Sequence, residues 1–366
     1  MKLGVFNLMQ KRDPAKPPGE VFSEMMEQVR LAEDLGFDVA WFGEHHFSDY
    51  SLCPSPLLAA AWCAGRTRRI LLAPGVLVLP LYDPVRLVQE VAMLDLISEG
   101  RLVLGIGTGY QDFEFQRFNV PLKEGGDRFL EFLDILEMGL LRREVAYDGR
   151  FYKVPPTALS LRLNGAFPEV VVAGVLNHPG IRRRVAESGY TPLLSPGWNP
   201  FSLIEKQKAD YGEIFRAAGR DPASMPMAVM RFVHVCDRRE ESLAAADNMR
   251  YTTRIAVALR FNYEQFHGTH PHDVPAKDEP TLDAMIDNAL IGGAEHLAAK
   301  IVDEVRRINP SHYLCFFQFG AQSGRTTLRN MERFAADVIP LVTRELGDLA
   351  RLGPRVVARR PLAAAE

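Results

Sequence analysis

The chain has 366 residues, 47% of them hydrophobic, and a formal net charge of −3. That is ample apolar material for a large core, and the nearly balanced charge excludes the basic face that a nucleic-acid partner requires. No stretch approaches a membrane span, and the short apolar start Met1–Leu8 lacks the long apolar core and cleavage site of a signal peptide. Cys53, Cys63, Cys236 and Cys315 have no paired spacing, which predicts reduced, buried thiols in a cytoplasmic protein.

Short apolar runs alternate with helical patterns. Leu3–Met9 predicts a first strand. Val21–Leu35 carries apolar residues at a helical period and is stopped by Gly36. Asp38–Gly43 is a second strand and Pro56–Ala64 a second helix. Ile70–Leu79 is a third strand, interrupted by Pro74-Gly75. Pro84 is placed to start a helix over Val85–Ile97, and Leu102–Ile106 is a fourth strand. A long gap follows, with a helix near Arg128–Leu141 and a strand-and-turn stretch, Val145–Leu163. The alternation resumes with strands at Val170–Ala173, Pro192–Ser195 and Met227–Val235, separated by helices at Ile181–Ser188 and Leu203–Ala218. A second long gap contains helices near Glu241–Arg260 and Leu282–Leu290. Then come a helix at Leu297–Ile308, an eighth strand at His312–Phe319 and a helix at Leu328–Leu346.

Eight such units predict an α/β fold, a TIM (β/α)8 barrel with insertions after strands 4 and 7; a doubly wound open sheet is the alternative. Residues 1–346 read as one domain and 347–366 as a C-terminal tail. The insertions are long enough to serve as lids or binding loops.

The unusual residues converge on the carboxyl ends of the strands, the rim that carries barrel active sites. Glu44, His45 and His46 end the second strand, and histidine suits proton transfer near neutral pH. Alone, a His-His pair is more often a loop cap and a packed ring. Pro74 inside a buried strand has no ladder N–H, so Pro74-Gly75 marks a bulge or a strained bond, and Gly75 leaves room for a flat ligand. Gly105-Ile106-Gly107-Thr108-Gly109 is GxGxG, not the dinucleotide fingerprint, and reads as a tight turn with free backbone N–H groups. Arg182, Arg183 and Arg184 crowd the first turn of a helix, where the dipole disfavours cations. An anion held by Arg182 explains them, with the other two solvated. His267, His270, His272 and Asp273 have no standard zinc spacing, so no metal is predicted.

The segments Glu44-His45-His46-Phe47, Leu79–Arg86, Leu94-Asp95 and Gly100–Gly107, with Gly292-Gly293 and Met331–Phe334 later on, resemble the bacterial luciferase-like flavin monooxygenases over nearly the whole chain to about residue 346. The resemblance implies a barrel with a mobile insertion after the seventh strand. It implies reduced FMN on the rim, reacting with molecular oxygen to give a flavin hydroperoxide that oxygenates a small or medium apolar substrate. His45 matches the catalytic histidine, with Glu44 and His46 supporting it. Pro74 and Gly75 match a pair joined by a non-prolyl cis peptide under the flavin ring. Thr108 falls near the flavin phosphate, and Asn177, His178, Gly180 and Ile181 fall at the phosphate loop, with Arg182 beside them. Gly107 replaces the reactive cysteine of luciferase proper, so light emission is not implied. With no second nucleotide motif, a separate flavin reductase is expected to supply the electrons, and the resemblance implies a homodimer. A deazaflavin-dependent oxidoreductase on the same barrel and a non-catalytic flavin-binding subunit are the alternatives.

Overall fold

A computed structural model describes residues 1–174, 178–261 and 265–354. In chain order its elements are β1 (Lys2–Asn7), α1 (Pro18–Asp34), β2 (Val39–Phe42), α2 (Pro56–Ala64), β3 (Leu71–Pro74), β4 (Leu77–Val78), α3 (Pro84–Ile97) and β5 (Val103–Gly107). Next are α4 (Asp112–Arg117), α5 (Gly125–Arg142), the hairpin β6 (Glu144–Asp148) and β7 (Lys153–Ala158), β8 (Glu169–Ala173), α6 (Pro179–Ser188), β9 (Thr191–Leu194), α7 (Ser202–Ala217) and β10 (Ala228–Val235). Then follow α8 (Arg239–Phe261), the small hairpin β11 (Phe266–His267) and β12 (His270–Pro271), α9 (Leu282–Asn288), β13 (Leu290–Gly292), α10 (Ala294–Ile308), β14 (His312–Phe316), α11 (Gly324–Arg333) and α12 (Ile339–Leu346).

The main sheet runs β3-β2-β1-β14-β10-β9-β8-β5-β4, all parallel, with β13 added beside the end of β10. A parallel bridge between Leu72 and Leu102, with Leu72 N–H on the Arg101 carbonyl at 2.8 Å, draws β3 towards β5. β3 and β4 are two pieces of one stave, so the barrel has the eight staves expected. Its strands are buried on both faces, as a parallel sheet wrapped by helices requires.

The helix starts follow local chemistry. Pro56 and Pro84 occupy first-turn positions, where a missing N–H costs nothing, while Ser55 and Asp83 accept the N–H groups of Leu58 and Arg86. Trp41 fills the barrel, and its neighbours are trimmed for it: a Cβ on Gly4 would sit 2.8 Å from Trp41 Nε1. Beneath it, His312 Nε2 meets Glu169 at 2.6 Å, and Lys2 reaches the same carboxylate at 2.7 Å.

Three findings correct the sequence reading. The cis peptide is Gly75–Val76, not Pro74–Gly75. Gly75 N–H still bonds the Phe42 carbonyl at 2.6 Å, which keeps the Pro74–Gly75 unit in the β2–β3 ladder and moves the switch one bond on. The third strand is broken into β3 and β4 at the Pro74-Gly75 interruption that the sequence predicts. Of the arginines expected in solvent, Arg184 is half-buried and paired with Glu137 at 2.9 Å and Asp134 at 3.0 Å, because α6 packs on α5. The segment expected as a tail is docked at its start: the Met1 amine donates to the Leu349 carbonyl at 2.8 Å, and Gly353 N–H bonds Asn309 Oδ1 at 2.9 Å. Among the described residues, no helix is long and apolar enough to cross a membrane, and all four cysteines are buried and unpaired.

The insertion after β10 crosses the barrel mouth. Thr252 Oγ1 on α8 donates to Gln10 Oε1 at 2.6 Å, and Arg12 pairs with Asp247 at 2.9 Å. Within the insertion, Arg254 binds Glu279 at 2.5 Å and Asp273 at 2.9 Å.

Candidate active site

A cavity of about 310 Å3 opens at the carboxyl ends of the strands, beneath α8. That is within the range of about 300–1,000 Å3 typical of small-molecule and cofactor sites. Backbone walls it on one side, at Gly43, Gly75-Val76, Gly107–Gly109 and Ala173-Gly174. Phe6, Leu8, Val78, Met230, Phe232 and Phe316 make the remaining wall apolar, and α8 roofs it with Thr252, Thr253, Ala256 and Arg260. The glycines are spaces the fold needs: a Cβ on Gly107 would lie 2.5 Å from Val76 Cγ2, and one on Gly174 would lie 2.7 Å from Thr108 Oγ1.

His45 enters this cavity from the loop after β2, its backbone N–H fixed on the Cys53 carbonyl at 3.1 Å. Its Nδ1 lies 3.0 Å from Glu114 Oε1 on α4 and 3.0 Å from Gln111 Nε2. An ionised carboxylate only accepts, so the Glu114 contact puts a proton on Nδ1, and the Gln111 amide is then assigned with its otherwise unpartnered Oε1, not its Nε2, towards that atom. Nε2 then has no protein partner among the described residues and is the ring atom open to a ligand. Tyr50 and Tyr110 flank the ring, with centroids 4.7 and 5.8 Å away. Burial pushes both phenols above their ordinary range, so they remain neutral donors. The Arg260 guanidinium stacks 5.0 Å from the Tyr110 ring centre at the cavity edge.

Glu44 does not orient His45. Its carboxylate accepts from Tyr82 Oη at 2.7 Å and the Val78 N–H at 3.3 Å, and it meets His46 Nε2 at 3.1 Å. Burial raises its carboxyl above the ordinary value, against the pull of His46. It therefore braces the β4 turn and turns the His46 ring away from the cavity, while Glu114 takes the orienting role expected of Glu44 and His46.

Of the residues expected at the site, His45, Glu44, Gly75, Gly107 and Thr108 line one cavity. Pro74 lies behind it, its carbonyl 1.9 Å from where a Cβ on Gly105 would stand. His178, Gly180, Ile181 and Arg182 are not among the lining residues. His178 caps α6 by accepting the Ile181 N–H at 3.4 Å, and it meets Asp127 at 3.3 Å. Arg182 lies near enough to Tyr211 of α7 to act on it electrostatically. Asn177 lies outside the described residues. Glu114, Gln111, Tyr50, Tyr110 and Arg260 are absent from the sequence reading. Glu114 had a signal, a carboxylate between Phe113 and Phe115 in an amphipathic stretch. The others had none.

A family model described as luciferase-like monooxygenase matches residues 1–310. The chain belongs to this family, and it is an oxidoreductase. An uncharacterised protein, y4vJ of Sinorhizobium fredii, is 34% identical over 353 residues, 95% of this chain and 99% of its own. The oxygenase component of the flavin-dependent trigonelline monooxygenase of Acinetobacter baylyi is 24% identical over 351 residues, 93% of this chain and 95% of its own. Among solved structures, monooxygenase RslO1 of Streptomyces bottropensis superimposes with a TM-score of 0.79 at 25% identity, covering 93% of this chain and 99% of the other. The FMN complex of the 3,6-diketocamphane monooxygenase oxygenating constituent from Pseudomonas putida has a TM-score of 0.75 at 22% identity, covering 93% and 98%. An F420-dependent secondary alcohol dehydrogenase shares the fold at 0.71 and 17%, also covering 93% and 98%.

Proposed function

We propose that this chain is the oxygenase component of a two-component flavin monooxygenase, binding reduced FMN in the mouth cavity and oxygenating a small or medium apolar organic molecule. The observation that carries the reading is His45, held through Nδ1 by Glu114 with Nε2 open to an apolar, backbone-walled cavity. The residues fit a flat cofactor: Gly75-Val76, Gly107 and Gly174 would hold the ring system, and Thr108 and Ser195 offer hydroxyls to its polar end. When bound, the reduced flavin supplies the electrons that activate molecular oxygen for transfer to the substrate.

The chain's own residues do the rest. His45 Nε2 takes or returns a proton beside the reacting centre, and Glu114 stabilises the ring when it is charged. α8 excludes water from the cavity. The oxygenase-component relative supports a separate reductase as electron donor. The exposed apolar residues Leu58, Trp62, Met93, Leu96 and Ile97 on α2 and α3 support a homodimer, and four buried free thiols suit a reducing cytoplasm.

The test is binding of anaerobically reduced FMN at micromolar protein, followed by oxygen uptake with that flavin. Absence of binding sinks the reading. The F420-dependent neighbour favours a second reading, hydride transfer with a deazaflavin, and a parallel titration with that cofactor separates the two.

A further inference from the structure

A second cavity, of about 490 Å3, lies on the other side of α8, between the end of β10, the first turns of α8 and the start of α11. It shares no lining residue with the His45 cavity. Glu241, Ala244, Ala245 and Asn248 of α8 face it, whereas Thr252, Thr253, Ala256 and Arg260 face the other.

Its chemistry is that of a donor array. His234 is only 7% exposed. Its Nδ1 is taken by Asn330 Nδ2 at 3.1 Å and Gln322 Nε2 at 3.4 Å, and Asn330 is itself fixed by the Val235 N–H on its Oδ1 at 2.7 Å. An acceptor Nδ1 puts the ring proton on Nε2. That N–H has no partner among the described residues, and His234 lines the cavity. Burial holds the imidazole down to about 4, so it is a neutral donor at physiological pH. Arg325 and Arg329 also line the cavity, and no carboxylate of a described residue is within ion-pair reach of either. Arg333 is already engaged by Asp237 and Asp337. The one lining carboxylate, Glu241, is held by Arg238 at 2.6 Å. Ser323 and Thr326 add hydroxyls, while the Gly324 N–H at the helix start is satisfied by Glu24 at 3.0 Å. The position, after strands seven and eight of the barrel, is where (β/α)8 proteins commonly bind phosphate.

We propose that this cavity is a second binding site, for a phosphate-class oxyanion, held by Arg325, Arg329 and the Nε2–H of His234. An anion there would bridge α11 to the end of β10, beside the first half of α8 and outside the reaction cavity.

The test uses the full chain and inorganic phosphate. Saturable phosphate binding is measured by calorimetry, with chloride at matched ionic strength as control. The double variant Arg325→Ala/Arg329→Ala is expected to bind phosphate at least tenfold more weakly, with an unchanged thermal midpoint in phosphate-free buffer because both side chains are exposed. Equal binding by variant and wild type, or wild-type binding no tighter than chloride, overturns the proposal. FMN and riboflavin are titrated against both proteins as well. If the variant loses affinity for FMN but not for riboflavin, the cavity belongs to the cofactor's own phosphate and the second site is refuted. The phosphate result does not depend on whether flavin binds.

Discussion

The carboxylate of Glu114 grips His45 through the ring: Oε1 lies 3.0 Å from Nδ1, and the same oxygen accepts the next backbone N–H at 2.7 Å. One buried oxygen thus sets both the tautomer of the imidazole and the path of the loop that carries it. Glu114→Gln keeps the volume but replaces an obligate acceptor with a group that also donates. Loss of a hydrogen bond to a charged group costs about 1.5–3 kcal/mol. The expected fall in turnover is therefore about ten- to hundredfold. His45→Ala is expected to lose about 10²–10⁴-fold. Oxygen-dependent product formation with externally reduced FMN measures both, with FMN affinity followed in parallel. Unchanged turnover in Glu114→Gln removes the positioning role.

What could be read in advance and what could not divides along a physical line. The staves, the Pro74 break and the placing of His45 and Gly107 on one rim follow from periodicity and backbone chemistry, which are local. Glu114 is 69 positions from His45 and Arg260 lies on a lid helix, so their meeting depends on how loops close over the mouth. Arg184 shows the same limit: an arginine at a helix start looked costly until α5 supplied Glu137. The cis bond was displaced by one residue because ladder pairing at Gly75 N–H, which no sequence pattern reveals, decides where the strand turns.

Gly105 tests the packing that positions this break. A Cβ there would lie 1.9 Å from the Pro74 carbonyl oxygen, and backbone has nowhere to retreat inside a barrel. Gly105→Ala is expected to cost about 3 kcal/mol or more. Gly19, in the first turn of α1 with nothing within 4 Å of its Cβ position, is the control. Gly19→Ala is expected to be neutral or to stabilise by about 0.4–1 kcal/mol. Urea denaturation midpoints compare the two, and equal midpoints contradict the packing argument.

At the opposite end of the barrel, Glu169 carries a pH dependence. Burial alone would raise its carboxyl, but His312 and Lys2 outweigh it and hold the value at about 2 against an ordinary 4.5. The folded state therefore prefers the ionised form, and the stabilisation is fully present above the unfolded value. It is lost as pH falls from about 4.5 through about 2. Glu169→Gln should be less stable than wild type at neutral pH, and the gap should narrow across that window. Denaturation at a series of acidic pH values checks this, and a gap independent of pH counts against it.

Asp49 ties the His45 loop to the lid. Its backbone N–H bonds the Thr269 carbonyl at 2.8 Å, its Oδ1 accepts from Thr269 Oγ1 at 3.0 Å, and Lys11 Nζ meets its carboxylate at 3.2 Å. Thr269 sits in the turn of the β11–β12 hairpin, so the loop bearing the reactive imidazole and the insertion over the cavity are fastened at one point. Thr269→Val removes the hydroxyl but leaves the backbone contact, while Asp49→Ala removes the acceptor and strands Lys11. The first variant is expected to be mild and the second to loosen both segments together. Hydrogen exchange should speed up in residues 45–53 and 265–272 in Asp49→Ala, and more reduced flavin should be consumed per product formed as water enters the cavity. Faster exchange in only one of the two segments rules out the coupling.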